Sequence, residues 1–425
     1  NYSYNDKYMV SATIRHEGSS KFAADNRWGD FWALSGGWRI SSENFMKEFE
    51  WVNDLKLRFG YGVTGNNDFS SAYMANTLSS DQYWMLPNGT WSYSYGKGQN
   101  VNPNLGWEEK KEWNIGIDYS FFNNRLYGKF DYYRRKIDNM IYEVKVSQPP
   151  FINETQWQNI GAMESKGWEF EIGGDIIQTK DFTWTSNLNM SHNTGKILTL
   201  WGNNTYYNGN GLPAPGSPGD ICRMEEGSTI GSFYLWKFAG FDDDGNFLLY
   251  NKDGEVIPAN KKTEADKQYM GNYIPKLMLG WNNTFTYKDF DLSISMRSWL
   301  KYDVYNSINM YFGIQGVNEC NVLKDAYGKF NHIRGEKQAC DYYLEDGSFL
   351  KIDAITLGYN LNLKKYTKWV ERLRVYGTVG NVATITGYSG VNPEIDISGW
   401  DKGIEKFDGL YPQIRTYTLG LQVTF

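Results

Sequence analysis

The chain has 425 residues, 17% of them aromatic and 22% charged, and 43 basic against 49 acidic side chains leave a net charge of -6 with no basic block, which disfavours a nucleic-acid partner. Its three histidines, His16, His192 and His332, lie in separate segments and suit neither a histidine-based metal site nor a proton relay. No apolar run reaches the roughly 18 residues of a membrane helix, which leaves spanning by strands open.

Asn1 leads almost directly into the first alternating segment, with no leader ahead of it, so the chain reads as a fragment or as the remainder after a large upstream region. Alternation of apolar and polar side chains marks strands with one buried face. It recurs near 6–16, 30–40, 54–64, 109–121 and 124–134, and again near 164–178, 181–193, 276–287, 290–300, 350–361, 368–380 and 413–425. In 181–193, Phe182, Trp184, Leu188 and Met190 oppose Thr183, Thr185, Asn187 and Asn189; in 290–300, Phe290, Leu292, Ile294 and Met296 oppose Asp291, Ser293, Ser295 and Arg297. The last segment sets Tyr417, Leu419, Leu421, Val423 and Phe425 on one face. Ordinary strands run to about 5–6 residues, whereas tilted membrane strands need roughly 9–11, and these segments reach the longer figure.

The connections alternate as strictly as the strands. Short joints fall at 41–53, 122–123, 179–181, 288–289 and 362–367, and long ones at 17–29, 65–108, 135–163, 194–275, 301–349 and 381–412. Counted back from Phe425, every short joint lies at one end of the sheet and every long one at the other. That is the arrangement of a transmembrane antiparallel β-barrel with periplasmic turns and extracellular loops. Twelve strands satisfy the parity. The excursion 194–275 adds none or two, and SFYLWKFAGF (232–241) offers the material for a total of fourteen. Tyr8, Trp28, Trp38, Trp113, Trp299, Trp369 and Tyr411 lie near strand ends, where interfacial belts gather, and Phe425 closes the chain at such a position.

Several loop features carry candidate chemistry. The 65–108 loop holds Tyr73, Tyr83, Trp84, Trp91, Tyr93, Tyr95 and Trp107. Of these, Tyr83, Trp84, Trp91, Tyr93 and Tyr95 are the substrate-binding candidates, able to stack on sugar rings, clamp a peptide or pack against a lid; packing among the loops themselves is the plain alternative. Tyr302, Tyr305, Tyr311 and Phe312 are candidates for contact with a partner. In FDDDGNFLLYNKDGEV (241–256), Asp242, Asp244 and Asn246 resemble alternating calcium donors, yet the late glutamate of a calcium loop is missing and an Asp-Gly turn explains them as well. The Gly/Pro cluster GNGLPAPGSPGD (209–220) reads as an external loop. Cys320 and Cys340 share one long loop and could pair, leaving Cys222 alone. No nucleophile–base framework or marked carboxylate pair stands out, and an enzyme is not indicated.

Six stretches carry a resemblance: LKLRFGYGVTGN (55–66), LGWEEKKEWNIGIDYSFFNNRLYG (105–128), NIGAMESKGWEFEIGG (159–174), SFLKIDAITLGYNL (348–361), NVATITGYSGVNPE (381–394) and YPQIRTYTLGLQVTF (411–425). In this order they resemble the marker segments of the SusC/RagA-like TonB-dependent outer-membrane transporters of Bacteroidetes. The resemblance implies that residues 1–425 are the C-terminal part of a 22-stranded barrel. It also implies a plug, a TonB-interacting segment, a small carboxypeptidase-regulatory-like domain and early strands outside this stretch. It implies import of a large nutrient energised through TonB, with a SusD-like surface lipoprotein as a hinged lid and room for a dimer of transporter–lid pairs. The cargo would be an oligosaccharide, slightly favoured by the abundant Trp, Tyr and Asn, or an oligopeptide. The loops 65–108, 194–275 and 301–349 would meet lid or substrate, with 381–412 nearer the wall. A soluble or surface carbohydrate-binding β-protein and a passive porin remain the alternatives from the residues alone.

Overall fold

The computed structural model describes residues 1–69, 78–97, 99–200, 206–212, 219–315, 321–364, 369–399, 402–406 and 411–425. Thirteen strands form one sheet, each hydrogen-bonded to its neighbours in sequence order. They are β1 (Tyr2–Tyr4), β2 (Tyr8–Gly18), β3 (Trp28–Arg39), β4 (Val52–Asn66), β5 (Glu108–Phe121), β6 (Leu126–Asp138) and β7 (Gly161–Gln178). The series continues with β8 (Phe182–Leu200), β9 (Leu277–Tyr287), β10 (Phe290–Leu300), β11 (Phe349–Asn362), β12 (Arg372–Thr386) and β13 (Thr416–Thr424). All twelve alternating segments are present as strands of this sheet. The thirteenth is the short β1, which folds back on the start of β2 with Tyr2 opposite Val10.

The sheet is antiparallel throughout, and its two ends are β1 and β13, so it is open. The connections segregate as the parity requires. Those at 5–7, 40–51, 122–125, 179–181, 288–289 and 363–371 share one end, and those at 19–27, 67–107, 139–160, 201–276, 301–348 and 387–415 the other. Three tight turns hold residues at positive φ: Asn5 and Asp6 in the first, Phe122, Asn123 and Asn124 in the second, and Lys288 in the third. Asparagine tolerates this left-handed region better than most residues.

Register carries one apolar face across the whole sheet. Ile14 lies opposite Trp32, Leu57 opposite Ile117, Ile117 opposite Phe130, Leu292 opposite Leu357 and Val375 opposite Leu421. Many of these side chains are exposed, Ile14 by 79% and Leu419 by 90%, which in water would be a large cost and in lipid is none. Two polar residues on this face are shielded by tryptophan: Trp184 Nε1 donates to Asn283 Oδ1 at 3.0 Å, and Trp281 Nε1 donates to Ser186 Oγ at 2.9 Å.

Of the two alternatives for 194–275, none or two further spanning strands, the large sheet shows none among the described residues. SFYLWKFAGF splits instead into Phe233–Leu235 and Lys237–Phe241, which belong to separate small sheets of four and three strands. Phe233, Leu235 and Trp236 are all buried, so this piece has no polar face to turn toward a lumen. Tyr206–Gly211, at the start of the Gly/Pro cluster, is an edge strand of the four-stranded sheet; residues 213–218 of that cluster lie outside the described set.

The buried core sits in the loops rather than the sheet. Residues from 201–276, 301–348 and 387–415 share one cluster built around Phe233, Tyr273, Tyr305, Met310 and Cys340. Smaller clusters join Phe22, Phe69 and Leu105, and Val144, Ile160, Ile197 and Met224. The long loops therefore form a packed head at one end of the sheet.

Candidate functional site

The face of the sheet opposite the apolar one is lined by small and polar side chains and laced by ion pairs. Arg58 on β4 reaches Asp118 and Asp131 on β5 and β6, at 2.9 Å to each. Gly116 makes this possible: a Cβ there would collide with Asp131 Oδ1 and stand 2.7 Å from Arg58 Nη2. The same device recurs at Gly358, where a Cβ would lie 2.6 Å from Asp291 and 2.7 Å from Arg374 Nε, partners in a two-pronged ion pair. Arg135 meets Glu112 at 3.0 Å and Lys129 meets Glu171 at 3.5 Å. Such a wall suits a hydrated passage or a polar domain packed inside the barrel.

One loop folds down onto this wall. Glu394 accepts from Arg297 of β10 at 2.9 Å and from Lys351 of β11 at 3.3 Å, while Tyr302 OH donates to Pro393 O at 2.6 Å. The loop 381–412, expected nearer the wall than the others, touches it through Glu394, whereas the ion-pair ladder is a feature the sequence analysis does not name. Its signal was legible as charged residues two apart on one face of a strand, such as Lys56 and Arg58 on β4 and Lys129 and Asp131 on β6.

Higher in the head, Glu405 is 1% exposed and its strand, Ile404–Glu405, pairs in parallel with Tyr305 and Asn306. Tyr388 OH donates to Glu405 Oε2 at 2.7 Å and the Asn392 amide to Oε1 at 2.6 Å. Burial pushes the Glu405 carboxyl above its usual range, with nearby Glu345 adding to it, although those hydrogen bonds pull the other way. Asp303 and Asp341 are also raised by burial; they accept the backbone amides of Asn272 at 2.8 Å and Phe238 at 2.6 Å, clipping one long loop to another.

The substrate-binding candidates lie on a hairpin, Leu78–Met85 with Trp91–Lys97, that stands out from the head. Tyr83 faces Tyr93 across it, with ring centroids 4.9 Å apart, and Met85 faces Trp91. Tyr83, Trp84, Trp91 and Tyr93 are 58–68% exposed, so they do not serve the head's own core. Tyr95 is on the same strand, with its side chain outside the described set, and Tyr73 lies outside the described residues. Trp107 packs inward against Phe22 and Phe31.

The partner-contact candidates are placed differently. Tyr302, Tyr305 and Tyr311 are at most 2% exposed; Tyr305 and Tyr311 lie in the large head cluster, against which Phe312 packs, and Tyr302 in a smaller one with Val304, Phe349 and Tyr388. They are core residues holding the loops together, because a head of this size needs large apolar side chains inside it. Burial pushes the Tyr311 hydroxyl up to about 12.

Asp242, Asp244 and Asn246 form a self-satisfied turn. Asp242 Oδ1 accepts the amides of Asp244 at 3.1 Å and Asn246 at 2.7 Å, Oδ2 accepts Asn246 Nδ2 at 3.0 Å, and these bonds hold the carboxyl below its usual range. Gly245 takes the positive φ that closes the turn. The next turn repeats the pattern with Asn251 accepting from Asp253 and Glu255. Among the described residues no group of three His, Cys, Asp or Glu could hold a metal ion. Cys340 is a free, buried thiol pushed up to about 12 by burial, while Cys320 lies outside the described residues. Cys222 is buried with Sγ directed at Lys402 O, 3.7 Å away. The three histidines remain apart: His16 meets Asp30, His192 meets Lys276 O, and His332 packs on Phe241.

Phe425 is 84% exposed and follows the outward row of β13, as the alternation required.

Residues 1–382 match the family model for the TonB dependent receptor-like β-barrel. The TonB-dependent receptor SusC of Bacteroides thetaiotaomicron is 33% identical over 444 residues, which take in 100% of this chain and 43% of that protein. TonB-dependent receptor P3 of Formosa agariphila is 30% identical over 462 residues, again 100% of this chain and 45% of the relative. The chain thus spans less than half the length of these curated relatives. Among solved structures, the RagAB peptide importer in its closed-closed state superposes with a TM-score of 0.83 at 23% identity, over 100% of this chain and 47% of that one, which shows a shared fold. With its apolar outer belt, polar inner wall and one-sided loops, the chain belongs to the TonB-dependent receptor family of outer-membrane β-barrels and is homologous to its SusC/RagA-like members.

Proposed function

We propose that this chain forms part of the wall and most of one flank of the extracellular head of a 22-stranded transporter that imports a large nutrient, driven by TonB. A plug domain and the remaining strands belong to the rest of that receptor. The observation that carries this reading is the thirteen-stranded sheet, apolar outside and polar inside, with every long loop at one end. The ion-paired inner wall offers a polar surface for a plug to pack on and move against. The exposed hairpin bearing Trp84 and Trp91 is the part of this chain best suited to meet cargo or a SusD-like lid. Flat, exposed aromatic faces favour an oligosaccharide over a peptide, since sugar rings stack on them without needing backbone partners.

The test is uptake by cells carrying the full receptor, using labelled oligosaccharides and oligopeptides of matched size. Loss of uptake on removing TonB, with the receptor still in the outer membrane, is the expected result. Uptake that is unchanged without TonB would establish a passive pore instead. Preference for the peptide series would reverse the choice of cargo while leaving active import intact.

A further inference from the structure

Above the apolar belt, the outward face of the sheet changes character over β5–β8 alone. One outward row is Phe59, Ile115, Tyr132 and Trp168, an interfacial band with an aromatic ring on three of four strands. The next row toward the long loops runs Tyr61, Trp113, Arg134 and Lys166, and the one after it Val63, Lys111, Lys136, Glu164 and Lys196. Five cations thus stand against the three acids Glu109, Asp138 and Glu164 on this patch. Arg134 Nε reaches Glu164 at 2.8 Å, while Lys111 and Lys136 share Asp138 at 3.0 and 2.8 Å. Lys166 and Lys196 are exposed and outside these pairs. On the row of Tyr61, β3 and β2 carry Leu34 and Ala12, and β9 begins at Leu277, opposite Leu300 and level with the aromatic row, below Lys166 and Lys196.

We infer that this patch binds the phosphate headgroups of an anionic lipid in the leaflet beside the long loops. The argument is one of height and charge. A tryptophan–tyrosine band marks where hydrocarbon gives way to headgroups, and the cations begin one row above it, on stems long enough to reach along the interface. Guanidinium and ammonium groups fixed on adjacent strands hold several donors toward one phosphate without a search for conformation. Acids on the same patch keep the cations ordered and leave an excess of two charges for the lipid. The inference rests on the membrane reading of the sheet and not on the identity of the cargo.

The experiment uses the full receptor reconstituted in phosphatidylcholine vesicles with a minor fraction of phosphatidic acid, then re-extracted and analysed for retained lipid by mass spectrometry. Wild type should retain phosphatidic acid well above its share of the vesicle. Basic residues at a membrane surface contribute about 1 kcal/mol each, so Lys166→Gln should reduce that enrichment about fivefold. The triple change Lys111→Gln, Lys136→Gln and Lys166→Gln should reduce it further, and the matching lysine-to-arginine triple should keep it. Thermal unfolding reports whether each variant is folded, and the single Lys166→Gln change carries the test if the glutamine triple is not. Equal enrichment in wild type and folded Lys166→Gln receptor would overturn the inference. Displacement by millimolar inorganic phosphate would overturn it too, by showing a site for a free anion. Failure of the receptor to insert in neutral vesicles at all would overturn the membrane reading beneath it.

Discussion

Gly116 and Glu405 show two ways in which single residues govern this chain. At Gly116 the missing side chain is what lets Arg58 lie between Asp118 and Asp131. Gly116→Ala should cost about 1–3 kcal/mol, the usual effect of forcing a methyl into filled space, read as a lower melting temperature of the full receptor. Gly106→Ala, with nothing within 4 Å of its new methyl, should leave that temperature unchanged. At Glu405 the effect runs through protons. Its carboxyl is raised in the folded head by burial, so between the ordinary carboxylate range and the raised value the folded state binds more protons than the unfolded one. Stability contributed by this group is therefore greatest on the acid side and falls as pH rises through that window. Asp303 and Asp341 act in the same direction. Amide exchange in 387–399 should quicken as pH rises above the ordinary carboxylate range, and Glu405→Gln, which retains an acceptor for Tyr388 or the Asn392 amide, should flatten that dependence. An exchange rate that slows as pH rises, after correction for intrinsic chemistry, would contradict the assignment.

At the scale of elements, the aromatic hairpin is the clearest case of side chains with no structural employment. Trp84→Ala with Trp91→Ala removes two rings that are 68% and 67% exposed, so stability should change by no more than about 0.5 kcal/mol per site. If the hairpin meets cargo or lid, affinity measured by calorimetry should fall about tenfold or more, since each buried stacking contact is worth around 1 kcal/mol. Unchanged affinity would remove the hairpin from the binding surface. The strands of the large sheet were legible because lipid outside and polar groups inside impose a period of two over long stretches: 181–193 shows it in three of the four residue pairs from Phe182 to Asn189, Ser186 being the exception. The head offered no such period. Phe233–Leu235 is buried on both faces, and its neighbour Trp236 bonds through its amide to Ala339, a hundred positions away. A three-residue strand that depends on such distant partners leaves no local pattern, and so Tyr302, Tyr305 and Tyr311 could be recognised as aromatic but not as core. The turn at Asp242 was half legible, since Asp-Gly signals a turn while only the folded loop shows the carboxylate spent on its own turn.

At the scale of the whole molecule the sheet poses a problem of edges. One face of β13 pairs with β12 from Thr416 to Thr424, and the other side of β13 has no strand among the described residues. At the opposite end β1 covers only Tyr8–Val10 of β2, so Ser11–Gly18 presents a second bare edge. In hydrocarbon each unpaired amide or carbonyl costs several kcal/mol, and two edges of this length outweigh the few kcal/mol by which a folded protein is ordinarily stable. Closure by further strands of the same receptor removes both edges at once, whereas closure of these thirteen on themselves would bring β1, three residues long, against the nine of β13 and leave most of the latter bare. The full receptor should therefore run on a gel as a compact species that shifts on heating, the mark of a closed barrel. Residues 1–425 expressed alone should show no heat-dependent shift and should associate through their edges into larger species. A monomeric, heat-shifting fragment in detergent would mean that these strands close by themselves, and the reading of the chain as part of a larger wall would fall with it.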